Sequence, residues 1–103
     1  MIKLLIVDDE QLEREGMQAI IERHFPHVGI RQAKNGNMAV ELAKEFSPDL
    51  ILMDIKMPGM NGLEAMEAIK AERPETKFIM VTAYDTFSYM KAAIKLGVKD
   101  YIL

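Results

Sequence analysis

Leu4-Leu5-Ile6-Val7-Asp8-Asp9 and Leu50-Ile51-Leu52-Met53-Asp54 decide the fold of this chain. Each is a short apolar run that ends abruptly in acid. Such a run, with no polar alternation, reads as a strand buried on both faces inside a parallel sheet. In open α/β sheets, ligands bind beyond the carboxyl ends of the strands. If the two strands are neighbours, Asp8, Asp9 and Asp54 converge on one small patch. Carboxylates that close repel one another, so the patch wants a divalent cation.

Working outward, apolar runs alternate with helix-period segments. Ile2–Val7 reads as a first strand. Glu10 to about His24 reads as a helix with Leu12, Met17, Ile20 and Ile21 on its buried side, ended by Pro26. Val28–Ala33 is a weaker strand, and Asn35-Gly36 marks a turn. Met38, Ala39, Leu42, Ala43 and Phe46 keep three/four spacing, and Ser47-Pro48 stops that helix. Asp49–Met53 is the third strand. Pro58-Gly59 and Asn61-Gly62 bracket a loop before a helix over Leu63–Ala71, stopped near Pro74. Phe78–Val81 is the fourth strand. Phe87, Met90 and Ile94 give another helix face, with Gly97 as its C-cap, and Asp100–Leu103 begins a fifth strand. Five strands alternating with four helices imply βαβ crossovers. The simplest order that sets the first and third strands side by side is 2-1-3-4-5, a flavodoxin-like doubly wound parallel five-stranded sheet. Its switch point falls where the three acids end.

Composition narrows the function. A chain of 103 residues fits one domain, and with half of them hydrophobic it can build a core. The net charge of −3 and scattered Lys and Arg give no basic block for nucleic acid or an anionic membrane. There is no cysteine, hence no disulfide framework and no thiolate metal site. The apolar N-terminus is too short for a signal-peptide core, and no stretch could span a membrane. A cytoplasmic location is expected. The nine methionines are read as gap fillers of core and loop anchors.

Val7-Asp8-Asp9-Glu10 resembles the acidic signature of response-regulator receiver domains. Met53-Asp54 followed by Met57-Pro58-Gly59-Met60-Asn61-Gly62 resembles their phospho-acceptor segment, and Val81-Thr82-Ala83 their switch segment. The match in order and spacing runs along the whole chain, and it implies a CheY-like fold. It further implies that a sensor histidine kinase phosphorylates Asp54 with Mg²⁺ as cofactor. Asp9 and Asp54 would bind the ion directly, Asp8 through water, and the Lys56 backbone carbonyl would add a ligand. Thr82 would hydrogen-bond a phosphoryl oxygen, small Ala83 would leave the donor room, and Tyr101 would change orientation when Thr82 engages phosphate. Lys56 and Tyr84 would rim the pocket. Glu10, His24 and His27 carry no assigned role. Read alone, Asp54 is a strand-end carboxylate at a turn, Asp8-Asp9 a helix N-cap, Thr82 an ordinary strand residue and Tyr101 a half-buried edge residue.

The resemblance breaks at the end of the chain. The family carries a lysine three residues after the position of Tyr101, and Leu103 is the last residue here. Lys99 precedes Tyr101 and is not its equivalent. The fifth helix is missing as well. The expectation is a receiver over residues 1–103 that is C-terminally incomplete, with apolar area on the first, third and fifth strands left open. A few hundred Å² at roughly 25 cal/mol per Å² would be worth several kcal/mol. Leu12-Glu13-Arg14-Glu15-Gly16-Met17 and the run from Tyr84 to Tyr101 resemble regulators that join a receiver to an AraC-type helix-turn-helix domain. That DNA-binding domain is absent, so this segment would not itself touch nucleic acid. The switched surface of helix four and strand five would control it, and the sequence leaves open whether activation pairs two copies into a homodimer. Two other readings stay open. Mg²⁺-dependent aspartyl-phosphate phosphatases also use a strand-end Asp, but they usually need a second acid where Lys56 stands. A degenerate receiver would serve only as a binding module, against which the four intact residues Asp8, Asp9, Asp54 and Thr82 speak.

Overall fold

The computed structural model describes residues 2–54 and 62–81. Lys56, Thr82, Ala83, Tyr84 and Tyr101 lie outside them, as do the expected fourth helix and fifth strand. The described elements run β1 (Lys3–Val7), α1 (Gln11–His24), β2 (Gly29–Ala33), α2 (Gly36–Phe46), β3 (Leu50–Asp54), α3 (Gly62–Glu72) and β4 (Lys77–Val81). Each lies within two residues of its expected span. All pairings are parallel and the order is β2-β1-β3-β4, the first four places of the expected sheet. The fold is the flavodoxin-like, doubly wound α/β arrangement.

Two apolar layers flank the sheet, because side chains alternate along each strand. Leu5, Val7, Ala33, Ile51, Met53 and Phe78 pack with Ala39 and Ala43 of α2 and Ala65 and Ile69 of α3. The small alanines let both helices lie close to the strands. Leu4, Ile6, Leu50, Leu52 and Ile79 face the other way and cluster with Ile21, with Met17, Val28 and Ile30 against them. Leu4, Ile6, Leu50, Leu52 and Ile79 are all buried. This corrects the expectation that β1 and β3 would be left with open apolar area. Among the described residues the most exposed large apolar side chains lie on α1, where Leu12 is 82% and Ile20 62% exposed. Only Met17 and Ile21 of the expected buried stripe turn inward, because the strands below α1 cover one edge of that stripe and not the other.

Asp49 fixes the end of the sheet opposite the acids. Its carboxylate accepts from Lys3 N–H at 2.8 Å and its own N–H donates to the Lys3 carbonyl at 2.8 Å. Its carbonyl accepts from Lys77 N–H at 3.1 Å, so one residue pins β1, β3 and β4 in register. Asn35 is not a turn residue: it is the N-cap of α2, with its side chain accepting from Met38 N–H at 2.7 Å. Ser47 closes α2 in the left-handed region at φ 51°, the positive φ of a C-cap position, and Pro48 follows.

Candidate acidic site at the strand ends

The register of β1 and β3 builds the site. Leu4 pairs with Leu50 and Val7 with Met53, so the next residue on each strand carries an acid. Asp8 leaves β1 as Asp54 ends β3, and β4 closes the flank with Val81 beside Asp54. One carboxylate oxygen each from Asp8, Asp9 and Asp54 lies within 4.8 Å of the other two. The three acids named from the strand ends are thus brought together. Asp8 and Asp54 are partly buried and Asp9 is exposed.

The helix-capping alternative for Asp8 and Asp9 does not hold. The N-cap of α1 is Glu10, with no side-chain cap bond. The Asp8 carboxylate turns back instead and accepts from Glu10 N–H at 2.9 Å. Its N–H donates to the Ala33 carbonyl at 3.1 Å, which extends the β1–β2 ladder to the edge of the site.

Burial pushes the Asp8 carboxyl up to about 6; the Glu10 amide lowers it, and the charges of Asp54, Asp9 and Glu13 raise it. Burial and like charge both disfavour the ionised carboxylate, and a bound dication would favour it. The donor set is oxygen only, which suits a hard dication and not a soft metal. Asp8, Asp9 and Asp54 would hold such an ion through carboxylate oxygens that lie within 4.8 Å of one another, and the ion would supply the countercharge. The residues present fit such an ion.

Sequence reasoning passed over a group behind the site. Arg14 Nη1 donates to the Asp8 carbonyl at 2.8 Å and its Nε donates to Gln32 Oε1 at 3.1 Å. Gln32 in turn donates to Gln18 Oε1. The available signal was Gln32 itself, a polar residue in register with Ile6 on an inward strand position.

Comparison with known proteins agrees with this architecture. The model of the response regulator receiver domain matches residues 4–103. Transcriptional regulatory protein YdfI of Bacillus subtilis (strain 168) is 47% identical over the whole chain, which covers 48% of that protein. The uncharacterized transcriptional regulatory protein YesN of the same organism is 40% identical, again over the whole chain and 28% of its own length. The chain therefore spans about half or less of these relatives. Among solved structures, the REC domain of AraT, a response regulator from Geobacillus stearothermophilus, superposes with a TM-score of 0.79 at 38% identity. That likeness covers 98% of this chain and 79% of the other. A two component transcriptional regulator AraC from Clostridium phytofermentans ISDg gives 0.76 at 36% identity, over 92% of this chain and 74% of its own. With the strand order of the described residues and the sequence match over residues 4–103 in agreement, the chain belongs to the response regulator receiver domains of two-component signalling.

Proposed function

We propose that residues 1–103 form the phospho-accepting part of a transcriptional response regulator and that Asp54 is the acceptor. The observation that carries this reading is the meeting of Asp8, Asp9 and Asp54 within 4.8 Å at the switch point of the sheet. A carboxylate oxygen of Asp54 forms a bond to phosphorus while the bond from phosphorus to the donor imidazole of a sensor histidine kinase breaks. The histidine nitrogen leaves with the electron pair, and Asp54 becomes an acyl phosphate. Asp8, Asp9, Asp54 and the Lys56 carbonyl would hold Mg²⁺, which supplies charge neutralisation for the phosphoryl oxygens. Oxygen donors and charge ask for a hard dication; the choice of Mg²⁺ rests on family resemblance. Thr82 hydrogen-bonds a phosphoryl oxygen, Ala83 leaves the donor room, and Tyr101 follows Thr82 on resemblance alone.

The domain acts as a signalling switch and not as a turnover enzyme. Phosphorylation biases two states of the helix-four and strand-five surface, as any ligand that prefers one state must. That surface controls an attached helix-turn-helix DNA-binding domain in the parent protein, with the kinase and the effector as the partners and a homodimer as the active form. Similar solved regulators include both an AraC and a LuxR family member, so the effector type follows from the parent sequence. A cytoplasmic location is part of the same proposal. Among the described residues no helix is long and apolar enough to cross a membrane.

Intact mass spectrometry after incubation with acetyl phosphate and Mg²⁺ tests the reading. The parent protein should gain one phosphoryl group, and Asp54→Asn should gain none. An adduct that survives Asp54→Asn, or none on the wild-type parent, sinks it.

A further inference from the structure

Asp8 is held at three atoms. Two of the bonds are local: the Ala33 carbonyl continues a ladder, and the Glu10 amide closes an Asx-type turn. The third is not. Arg14 reaches back six residues from α1 to donate to the Asp8 carbonyl. Its guanidinium is only partly exposed, and its other bond runs to Gln32, which sits on the sheet face that Ile6 and Ile30 otherwise make apolar. Gln18 completes the chain of amides. A cation and two amides placed there lose hydration, and that loss needs a return.

The return is orientation. The Asp8 carbonyl belongs to the peptide unit that leads the chain off the sheet. That unit is planar, so fixing its C=O also fixes the Asp9 N–H and the direction in which Asp9 departs. Asp9 is the exposed member of the acid cluster. Arg14 has two nitrogens engaged on two acceptors, a geometry a lysine ammonium on its flexible stem does not reproduce.

We infer that Arg14, braced by Gln32, is a positioning residue for the acid cluster: it sets the Asp8–Asp9 peptide and thereby aims the Asp9 carboxylate at a divalent cation. The inference rests on the metal reading of the site proposed above. Groups behind metal ligands typically change affinity by 10- to 100-fold when removed.

The test is a Mg²⁺ titration followed by ¹H–¹⁵N NMR on wild type, Arg14→Lys, Gln32→Leu and the double variant, each paired with a urea midpoint without metal. Arg14→Lys should bind Mg²⁺ about tenfold more weakly, although its charge is kept. Gln32→Leu should weaken binding in the same direction, and the double variant should be no weaker than Arg14→Lys alone, since Gln32 acts through Arg14. In wild type, the Arg14 Nε–H signal should shift with the same midpoint as the Asp9 amide. Wild-type affinity in Arg14→Lys, or losses that add in full in the double variant, overturns the role while leaving the metal site standing. A wild-type chain with no saturable Mg²⁺ shift overturns the metal reading and this role with it. If Arg14→Lys fails to fold, Gln32→Leu decides alone: unchanged affinity overturns the inference.

Discussion

Asp8 shows how much one residue can reveal at the smallest scale. Its carboxyl is pushed up to about 6 chiefly by burial, with Asp54, Asp9 and Glu13 adding to the rise. In the unfolded chain it returns to an ordinary value of about 4. Between these values the folded state binds more protons than the unfolded one. Stability contributed by this group is therefore present at low pH and is lost as pH rises from about 4 through about 6. Asp8→Asn keeps an oxygen for the Glu10 amide and removes the charge. Without metal it should stabilise the domain at pH 7 by about 1 kcal/mol, after discounting for partial exposure. It should also flatten the urea midpoint between pH 4 and 6.5. A loss of stability at pH 7 would show that the carboxylate holds the fold and is not merely tolerated by it. Asp8, Asp9 and Asp54 were legible in the sequence because all three follow buried apolar runs whose neighbouring strands bring their ends together, although each read alone has an ordinary structural role. Arg14 was not legible: its partners are a carbonyl and a residue of another strand, and no local pattern marks them.

Helices tell a mixed story, since periodicity finds an element but not its surroundings. α1 was expected to bury Leu12 and Ile20 along with Met17 and Ile21. Those four residues form one wide stripe, and only the neighbouring strands decide which edge is covered. Gly16 lies on the exposed edge between Leu12 and Ile20, and a Cβ added there would meet nothing within 4 Å. A helix-interior glycine costs about 1 kcal/mol relative to alanine. Gly16→Ala should therefore raise the stability of the 103-residue chain by about 0.5–1 kcal/mol in a urea titration. A loss would mean that another helix approaches this edge closely. α2 offers the opposite lesson. Asn35-Gly36 was read as a turn because both residues favour turns, yet Asn35 caps the helix that begins at Gly36. The same side-chain chemistry serves both, and only the apolar period that follows separates them. Asn35→Ala should cost about 1 kcal/mol, seen as a lower thermal midpoint, and Asn35→Asp much less.

At the scale of the molecule, the site is a product of sheet order. Residues 8 and 54 are distant in sequence and meet because β1 and β3 pair in parallel with Val7 opposite Met53. The sequence suggested that order from the alternation of strands and helices together with the condition that the first and third strands lie side by side, whereas the register depended on contacts such as those of Asp49, which alternation does not encode. Site and fold should accordingly be linked, since the acids come together only in the native sheet. Phe78 tests the link. It is fully buried, pairs with Ile51 on β3, and packs in the layer under α2 and α3, well away from the acids' own side chains. Phe78→Leu should cost about 1–2 kcal/mol, a fall of several degrees in the thermal midpoint for a domain of this size. A cation that binds only the native acids returns stability: free Mg²⁺ at ten times its Kd adds about 1.4 kcal/mol. Mg²⁺ should thus recover much of the loss in Phe78→Leu, and adding Asp54→Asn should abolish the recovery. Recovery that persists without the Asp54 carboxylate would place the binding ion elsewhere on the molecule. No recovery at any Mg²⁺ concentration would mean that the acids can meet in the native sheet without forming a cation site.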